Sequence, residues 1–405
     1  MKSVDKNTPC FSLRLFSYFF FILLDCPFSK GQHDLNKPVP KRYEIKGFVK
    51  DMQNAFFNDY ANSLITGNLI HNRINFKWKL TSNLHLRIES RNRFFYGEQV
   101  KYNPDFSTSI GSDNGYFNLT YNLIKEKSFV FNSTFDRALL NWSKRKWDIT
   151  MGRQRINWGI NMIWNPNDIF NTLNYLDFDY EERPGSDAVR IQYNHGTFSS
   201  LQLAYKIDKN SSRKVAALMY KTHVYKYDWQ NFLGIYQEDF VLGTGWAGNI
   251  KQAGFKGEAS YFHSYKTLGT KSQVSISLSL DHQLKGNYFI VVSYLYNSNG
   301  KDAIYNIADV SKINLSVKNL MPFQHTIFIQ ASKALHPLVE GSFSAIFSPT
   351  KKSLILFPVV NISLSENWDL SVVGQSFFAD LQTVYKAVGN TIFLRLRWSY
   401  LTKPI

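Results

Sequence analysis

Basic side chains recur at every second position in several stretches of the chain. In an extended strand this spacing points them all to one face. The members of this set are Arg73, Lys77, Arg87, Arg91, Arg93, Arg190, Arg395 and Arg397. Guanidinium groups bind carboxylates and phosphates through two parallel hydrogen bonds, so the set predicts a surface that attracts anions. Alternatively, nearby acids such as Glu89, or an acidic loop, neutralise the same cations.

A second group of candidate residues lies between positions 152 and 187, around the stretch GRQRINWG (152–159). Its members are Arg153, Gln154, Trp158, Asp168, Arg183 and Asp187. They flank or occupy a connection over 160–186 that is rich in acids, and long connections in compact proteins usually have a function. We expect these residues to anchor the connection as a constriction whose acids face the basic surface. The alternative is a surface loop held by the packing of Trp158 and Trp164.

Catalytic and metal-binding patterns are not found in this sequence. No histidine is followed two residues later by a serine, and His263 and Ser264, as neighbours on a strand, would point to opposite faces. Glycine-rich phosphate loops and the common zinc and calcium spacings are absent. We therefore predict a protein that is not an enzyme and that needs no cofactor or metal.

The first 31 residues have the composition of a secretory signal peptide. A basic start precedes the apolar run LFSYFFFILL (15–24), which is too short to span a bilayer as a helix, and small residues follow at Ser29 and Gly31. Both cysteines, Cys10 and Cys26, lie in this leader. The predicted organisation is a signal peptide over 1–31, a short N-terminal segment over 32–42 and one domain over 43–405.

Alternation of polar and apolar residues dominates the chain after the leader. In QVSISLSLD (273–281) four aliphatic residues alternate with Gln273 and three serines. Similar alternating runs follow along the chain, the last of them being FLRLRWSY (393–400). Period two is typical of strands, and strands cross a bilayer only as a closed barrel, because an unpaired backbone edge in hydrocarbon is costly. We predict an all-β fold, a transmembrane antiparallel barrel of about 16–18 strands with the long connection inserted in its lumen. A soluble all-β protein is the alternative.

The segment GRQRINWG…WNPNDIFN…RPGSDAVRIQY (152–193) resembles the corresponding part of alginate-export-like and related porin-type barrels of Gram-negative outer membranes. The matching residues are Gly152, Arg153, Gln154, Trp158, Gly159, Pro166, Asp168, Pro184, Gly185, Asp187 and Arg190. The resemblance covers about 40 residues and implies a monomeric outer-membrane channel with a charged constriction. It does not extend to alginate as the substrate.

The sequence therefore predicts a porin-like channel in the cell outer membrane that passes small anionic or oligosaccharide-like solutes passively. Its net charge of +16 favours anionic partners. Expected partners are the lipid bilayer, lipopolysaccharide, the solute and the outer-membrane assembly machinery, and nucleic acid is not expected. The alternatives are a barrel sealed by the loop, serving as a surface scaffold or partner subunit, and a barrel hydrolase.

Overall fold

The computed structural model describes residues 42–57, 64–113, 115–171, 184–266, 272–301, 316–350, 352–380 and 384–401. The predicted signal peptide and all but Arg42 of the segment 32–42 lie outside the described residues. Among the described residues, no helix has the length and hydrophobicity needed to cross a bilayer.

The described residues form one antiparallel sheet of 19 strands. The first ten are β1 (Tyr43–Phe57), β2 (Leu64–Lys79), β3 (Leu84–Tyr96), β4 (Thr120–Lys125), β5 (Phe129–Lys144), β6 (Trp147–Gln154), β7 (Ser186–Asn194), β8 (Ser200–Lys206), β9 (Val215–Val224) and β10 (Tyr227–Tyr236). The others are β11 (Asp239–Ile250), β12 (Ala253–Ser264), β13 (Gln273–Gln283), β14 (Tyr288–Lys301), β15 (Phe323–His336), β16 (Val339–Ser348), β17 (Ser353–Ser365), β18 (Trp368–Asp380) and β19 (Tyr385–Leu401). Helices α1 (Glu98–Lys101) and α2 (Phe106–Ile110) and the 3₁₀ turn Ser211–Arg213 are short.

The sheet closes on itself because β1 pairs with both β2 and β19. Each strand otherwise pairs with its neighbours in sequence, except that β3 skips β4 and pairs with β5. The short strands β4 and β6 both pair with β5, β4 along its first part and β6 along its last part. The wall is therefore a closed barrel of 18 strands, which confirms the predicted fold class.

The outer face of the wall is apolar, as the alternation predicted. Leu203, Leu233 and Leu242 are about half exposed, at 49%, 60% and 60%, while their neighbours Ala204, Phe232 and Val241 are buried inside. Aromatic side chains gather near one end of the strands, where Trp229 lies 5.9 Å from Trp246 between ring centroids. An apolar band bordered by aromatic residues is the surface that lipid requires of a transmembrane barrel.

The two ends of the barrel differ in their connections. At one end the strands join through short turns, such as 225–226 between β9 and β10 and 251–252 between β11 and β12. At the other end lie the longer connections, including 97–119 and 155–185. We refer to these as the short-turn end and the long-loop end.

The described part of the long connection, residues 155–171, lies inside the barrel, as predicted. Trp158 packs on Phe170 and on Phe232 of β10, and Trp164 packs on Phe328 of β15. These contacts belong to two buried apolar clusters, which also include Val317, Leu320 and Met321 from the β14–β15 connection. The interior beside β8 to β19 is therefore partly filled by an apolar core.

Candidate functional site

The strands β2, β3 and β5 carry an ion-pair network on the inner face of the wall. The guanidinium of Arg73 lies 2.6 Å from Glu89 and 2.7 Å from Asp136. Arg91 approaches Asp136 at 3.7 Å, and Arg87 pairs with Glu89. Arg73, Glu89 and Asp136 are almost completely buried. Barrel acids therefore neutralise part of the basic wall, as the alternative interpretation of the sequence expected.

Asp136 enters this network through a β-bulge. Glu89 of β3 pairs with Arg137, whereas the next residue, Ser90, pairs with Phe135, so Asp136 is an extra residue on β5. A bulge re-aims a side chain, and here Asp136 and Arg137 both reach the inner face. Asp136 accepts from Arg73, and Arg137 Nη1 donates to the Asp136 carbonyl at 2.7 Å.

Closure of the barrel brings the basic residues of β19 next to those of β1, β2 and β3. In register, Arg397 lies beside Lys50, Lys50 beside His71, and His71 beside Arg93. The Arg397 guanidinium lies over the Phe48 ring at 4.3 Å. One row of basic side chains therefore crosses four neighbouring strands. The remaining member of β19, Arg395, donates to Ser371 Oγ at 3.2 Å.

The predicted residues Lys77, Arg87 and Arg190 line one cavity of about 730 Å³. Arg190 is held by Asp148 at 2.5 Å and by Thr150 at 3.2 Å. We call this space the basic cavity; its basic lining residues are Lys77, His85, Arg87, Arg137, Arg155 and Arg190. None of its described lining residues is acidic. A second cavity of about 730 Å³, at the long-loop end, is lined by Arg91, Arg93 and Arg153 among others.

Glu258 of β12 is the main polar anchor of the inserted connection. Its carboxylate accepts hydrogen bonds from the backbone N–H of Ile160, Asn161 and Asn167, at 2.5, 2.7 and 3.0 Å, and from the side chain of Asn165 at 3.0 Å. Glu258 is fully buried. One carboxylate therefore satisfies four donors of a non-helical segment that has no strand partner, as a buried backbone requires.

Three predicted anchoring residues hold the start of the same segment. The Trp158 indole donates to Gln202 of β8, and the Trp158 backbone N–H donates to Asp168 Oδ1 at 3.2 Å. Gln154 donates to the carbonyls of Thr150 and Ala188, at 3.0 and 2.8 Å. The structure thus brings Gln154, Trp158 and Asp168 to the root and body of the inserted connection.

The long connection runs from β6 to β7. Arg153 lies next to the end of β6, and Asp187 lies next to the beginning of β7. Arg153 binds Asp187 through two contacts of 2.8 Å, and a third nitrogen lies 2.7 Å from Asp113. Arg153 also donates to the carbonyl of Phe117 at 2.7 Å. Gly115 permits this approach, because a Cβ there would lie 1.9 Å from Arg153 Nη2. The pair therefore joins β6 and β7 to Asp113 and Phe117.

Asp113 belongs to this joint and lies outside the strands. Burial by itself raises the pKa of Asp113. Hydrogen bonds from Arg153 and from the backbone N–H groups of Gly115 and Leu119 have the opposite effect and are stronger together. The pKa of the Asp113 carboxyl is therefore held below its ordinary value, and the joint contains two carboxylates around one guanidinium.

Two of the residues that organise this site were not predicted from the sequence. Glu258 lies at an inward position of an alternating run, and this is a weak signal because many strands carry one such charge. Asp136 becomes inward only through the bulge, which the alternation does not reveal. Arg183 and the acids of 172–182 lie outside the described residues.

The fold and the charged interior together define a class. A closed antiparallel barrel with an even number of strands, an apolar exterior and a polar, charged interior is an outer-membrane β-barrel of the porin type. The chain is accordingly placed in the cell outer membrane.

Solved structures of this architecture are similar to the chain over most of its length. OccAB4 of Acinetobacter baumannii matches 90% of this chain and 100% of its own, with a TM-score of 0.58 and 8% identity. OccAB3 of the same organism matches 89% and 99%, with a TM-score of 0.57 and 10% identity. OccK11 (OpdR) of Pseudomonas aeruginosa matches 89% and 96%, with a TM-score of 0.54 and 7% identity. At these identities the likeness concerns the fold.

No protein-family model matches the chain, and no curated protein is similar to it in sequence. The resemblance to alginate-export-like barrels therefore stays a prediction. The assignment as a porin-type barrel is supported by the architecture.

Proposed function

We propose that the chain is a porin-like channel that passes small anionic or oligosaccharide-like solutes passively across the outer membrane. The basic cavity is the observation that carries this proposal, because its described lining combines five Lys and Arg side chains and His85 with no acid. Cations that line a narrow lumen raise the local concentration of anions. In this proposal the lipid bilayer surrounds the barrel, and lipopolysaccharide of the outer leaflet contacts its outer surface. The outer-membrane assembly machinery inserts the barrel into the membrane.

The inserted segment 155–171 contributes by narrowing the lumen. It is anchored on β8 through Gln202 and on β12 through Glu258, so it occupies the side of the barrel away from β2 and β3. A solute is thereby directed along the wall that carries Arg73, Arg87 and Arg91. This wall holds more basic than acidic side chains among its described residues, even after the ion pairs of Glu89, Asp136 and Asp148.

The experiment is the reversal potential of the folded barrel in planar bilayers across a KCl gradient. We expect a potential of the sign that marks chloride as the preferred ion, reduced in the double variant Arg87→Gln with Arg190→Gln. Lys251→Gln is the matched control, because Lys251 is an exposed basic residue on a short turn. Preference for potassium in the unmodified chain would overturn the proposal.

A loop-sealed barrel that acts as a scaffold or partner subunit is the second candidate. It is favoured by the burial of charged groups inside the barrel, since Lys50 is 0%, Arg73 3% and Glu89 1% exposed. The test replaces residues 158–183 with a short Gly–Ser linker. Current from the shortened chain with none from the intact chain supports the sealed barrel, whereas current from both supports the channel.

A further inference from the structure

We propose that the basic cavity binds a compact oxyanion that carries at least two negative charges, and that this anion bridges the strand wall and the root of the inserted segment. Pyrophosphate and citrate represent the phosphate and carboxylate forms of this chemistry. The inference rests on the proposed function and narrows its solute class. It follows from the number of cations in the cavity, from how they are held, and from what its lining lacks.

The cations of the cavity converge from separate elements. Arg87 comes from β3, Arg137 from β5, Arg190 from β7 and Arg155 from the residue after β6. Arg87 is held by Glu89, Arg137 by the Asp136 carbonyl and Arg190 by Asp148. Their positions are thus fixed before a ligand arrives. A multivalent anion gains more from several converging cations than a monovalent anion does, because each of its charges can lie against a different guanidinium.

The composition of the lining favours charge over stacking. Apart from the basic residues, the described lining consists of Asn141, Thr150, Gln154 and Asn157, with Leu139 as its single apolar member. It offers no aromatic side chain among the described residues against which the apolar face of a sugar ring could pack. Its volume of about 730 Å³ is within the range of small-molecule sites.

Two lining nitrogens also lack a hydrogen-bond partner among the residues that the structure describes. Arg190 Nη2 donates to Asp148 and Thr150, whereas Arg190 Nε is buried and unsatisfied, as is His85 Nδ1. Buried polar nitrogens without a partner are uncommon in native proteins, and each calls for a physical reason. An oxyanion bound beside Arg190 would offer Nε the acceptor that it lacks.

Arg155 is the one cation that the described part of the inserted segment contributes to the cavity. Gln154, the last residue of β6, is fixed by Thr150 and Ala188, so the chain enters the segment from a rigid point. An anion held between Arg155 and the arginines of β3 and β7 joins the segment to the strand wall. Occupancy of the cavity would therefore restrain the root of the segment.

The experiment measures block of the chloride current by pyrophosphate, citrate, acetate and sucrose in planar bilayers, with isothermal titration calorimetry of the folded barrel in micelles alongside. We expect pyrophosphate and citrate to bind and block at concentrations far below acetate, with no effect of sucrose. Arg155→Gln should weaken pyrophosphate about tenfold or more, the loss of one charge-assisted contact. Arg155→Lys should restore part of this loss, and Lys251→Gln should behave like the unmodified chain.

Calorimetry requires no conduction, so the two proposals fail separately. A barrel that prefers chloride but binds pyrophosphate and citrate no better than acetate keeps the channel function and overturns this inference. Unchanged pyrophosphate affinity in Arg155→Gln also overturns it. A barrel that conducts nothing but binds pyrophosphate in an Arg155-dependent way supports the site and overturns the channel. Block by pyrophosphate alone or citrate alone restricts the site to phosphates or to carboxylates.

Discussion

Glu258 shows how one side chain can position a whole segment inside a barrel. A loop in a lumen must satisfy its backbone donors without a strand partner, and Glu258 accepts from three backbone N–H groups and one asparagine side chain. Hydrogen bonds to a charged acceptor contribute about 1.5–3 kcal/mol each, which is more than neutral ones contribute. The position of the segment therefore depends strongly on one carboxylate.

Substitution Glu258→Gln should loosen the segment and enlarge the lumen. The amide presents one oxygen and an NH₂ group to four donors, so at least two of them lose their acceptor. We expect a single-channel conductance above that of the unmodified chain, because the loss of hydrogen bonds to a charged acceptor leaves the segment less restrained. The control is Glu238→Gln, because Glu238 forms an exposed pair with Lys266. Equal conductance in the two variants would contradict this role.

Arg153 is a second residue on which several elements depend. It is 5% exposed and compensates the two carboxylates of Asp113 and Asp187. Arg153→Gln leaves both acids without their cation, and breaking a buried pair in this way costs about 3–5 kcal/mol. Urea unfolding in micelles, followed by tryptophan fluorescence, should show this loss. Arg213→Gln, at an exposed position on the 3₁₀ turn, should change the free energy of unfolding little. An equal loss of stability in Arg213→Gln would contradict the special role of Arg153.

At this scale the sequence predicted which residues face inward but not their partners. Alternation placed Arg73, Arg87 and Arg91 on one face of their strands, and the cross-strand register agrees. Their pairing with Asp136 could not be foreseen, because it depends on one extra residue in β5. Pairing across strands needs the register, which a single sequence does not contain.

Among the elements, most strands were predictable because lipid on one side and water on the other impose period two. The run 273–281 corresponds to β13 and the run 393–400 lies within β19. The turn at 237–238 between β10 and β11 is not evident from the sequence. The turn holds Gln237 at φ 59° and contains neither glycine nor asparagine, so its residue types gave no turn signal.

The segment 115–119 should respond to acid through Asp113. Its folded pKa lies below the ordinary 3.8, so its stabilising contribution is complete above that value and is lost as the pH falls through the lower, folded one. A dye on Tyr116→Cys, at an exposed position, should keep its anisotropy from pH 7 to about 4. Below that pH we expect the anisotropy to fall.

Asp113→Asn is the control for this pH dependence. The asparagine cannot accept from Arg153 as a charged partner, so the dye should already move more freely at pH 7 and show a weaker change on acidification. An unmodified chain that loosens near pH 6 would mean that a group other than Asp113 controls the segment.

For the whole molecule, the interior is divided between two kinds of surface. The two larger apolar clusters and the described part of the inserted segment lie mainly along β8 to β19, while the Arg73–Glu89–Asp136 network and the basic cavity lie along β2 to β7. The sequence predicted the barrel and its basic residues. It did not predict this division, because the apolar residues of the inner face have the same alternation as those that meet lipid.

The proposed preference for anions should depend on ionic strength. The described acids of the wall pair with only part of its basic side chains, so the remaining charge acts on solutes over a distance that salt controls. The Debye length falls from about 10 Å at 0.1 M to about 3 Å at 1 M. The chloride-to-potassium permeability ratio should therefore decrease between these two concentrations. A ratio that does not change would indicate selection by direct contact or by size.

The bulge at Asp136 has an evolutionary consequence. Because Asp136 is the extra residue, Glu89 would still face Arg137 and Ser90 would still face Phe135 if it were lost. A one-codon deletion would then remove an acid from the pore without turning any other β5 side chain toward lipid. Descendants of this gene could shift the electrostatic character of the pore in one step, without having to refold the wall around it.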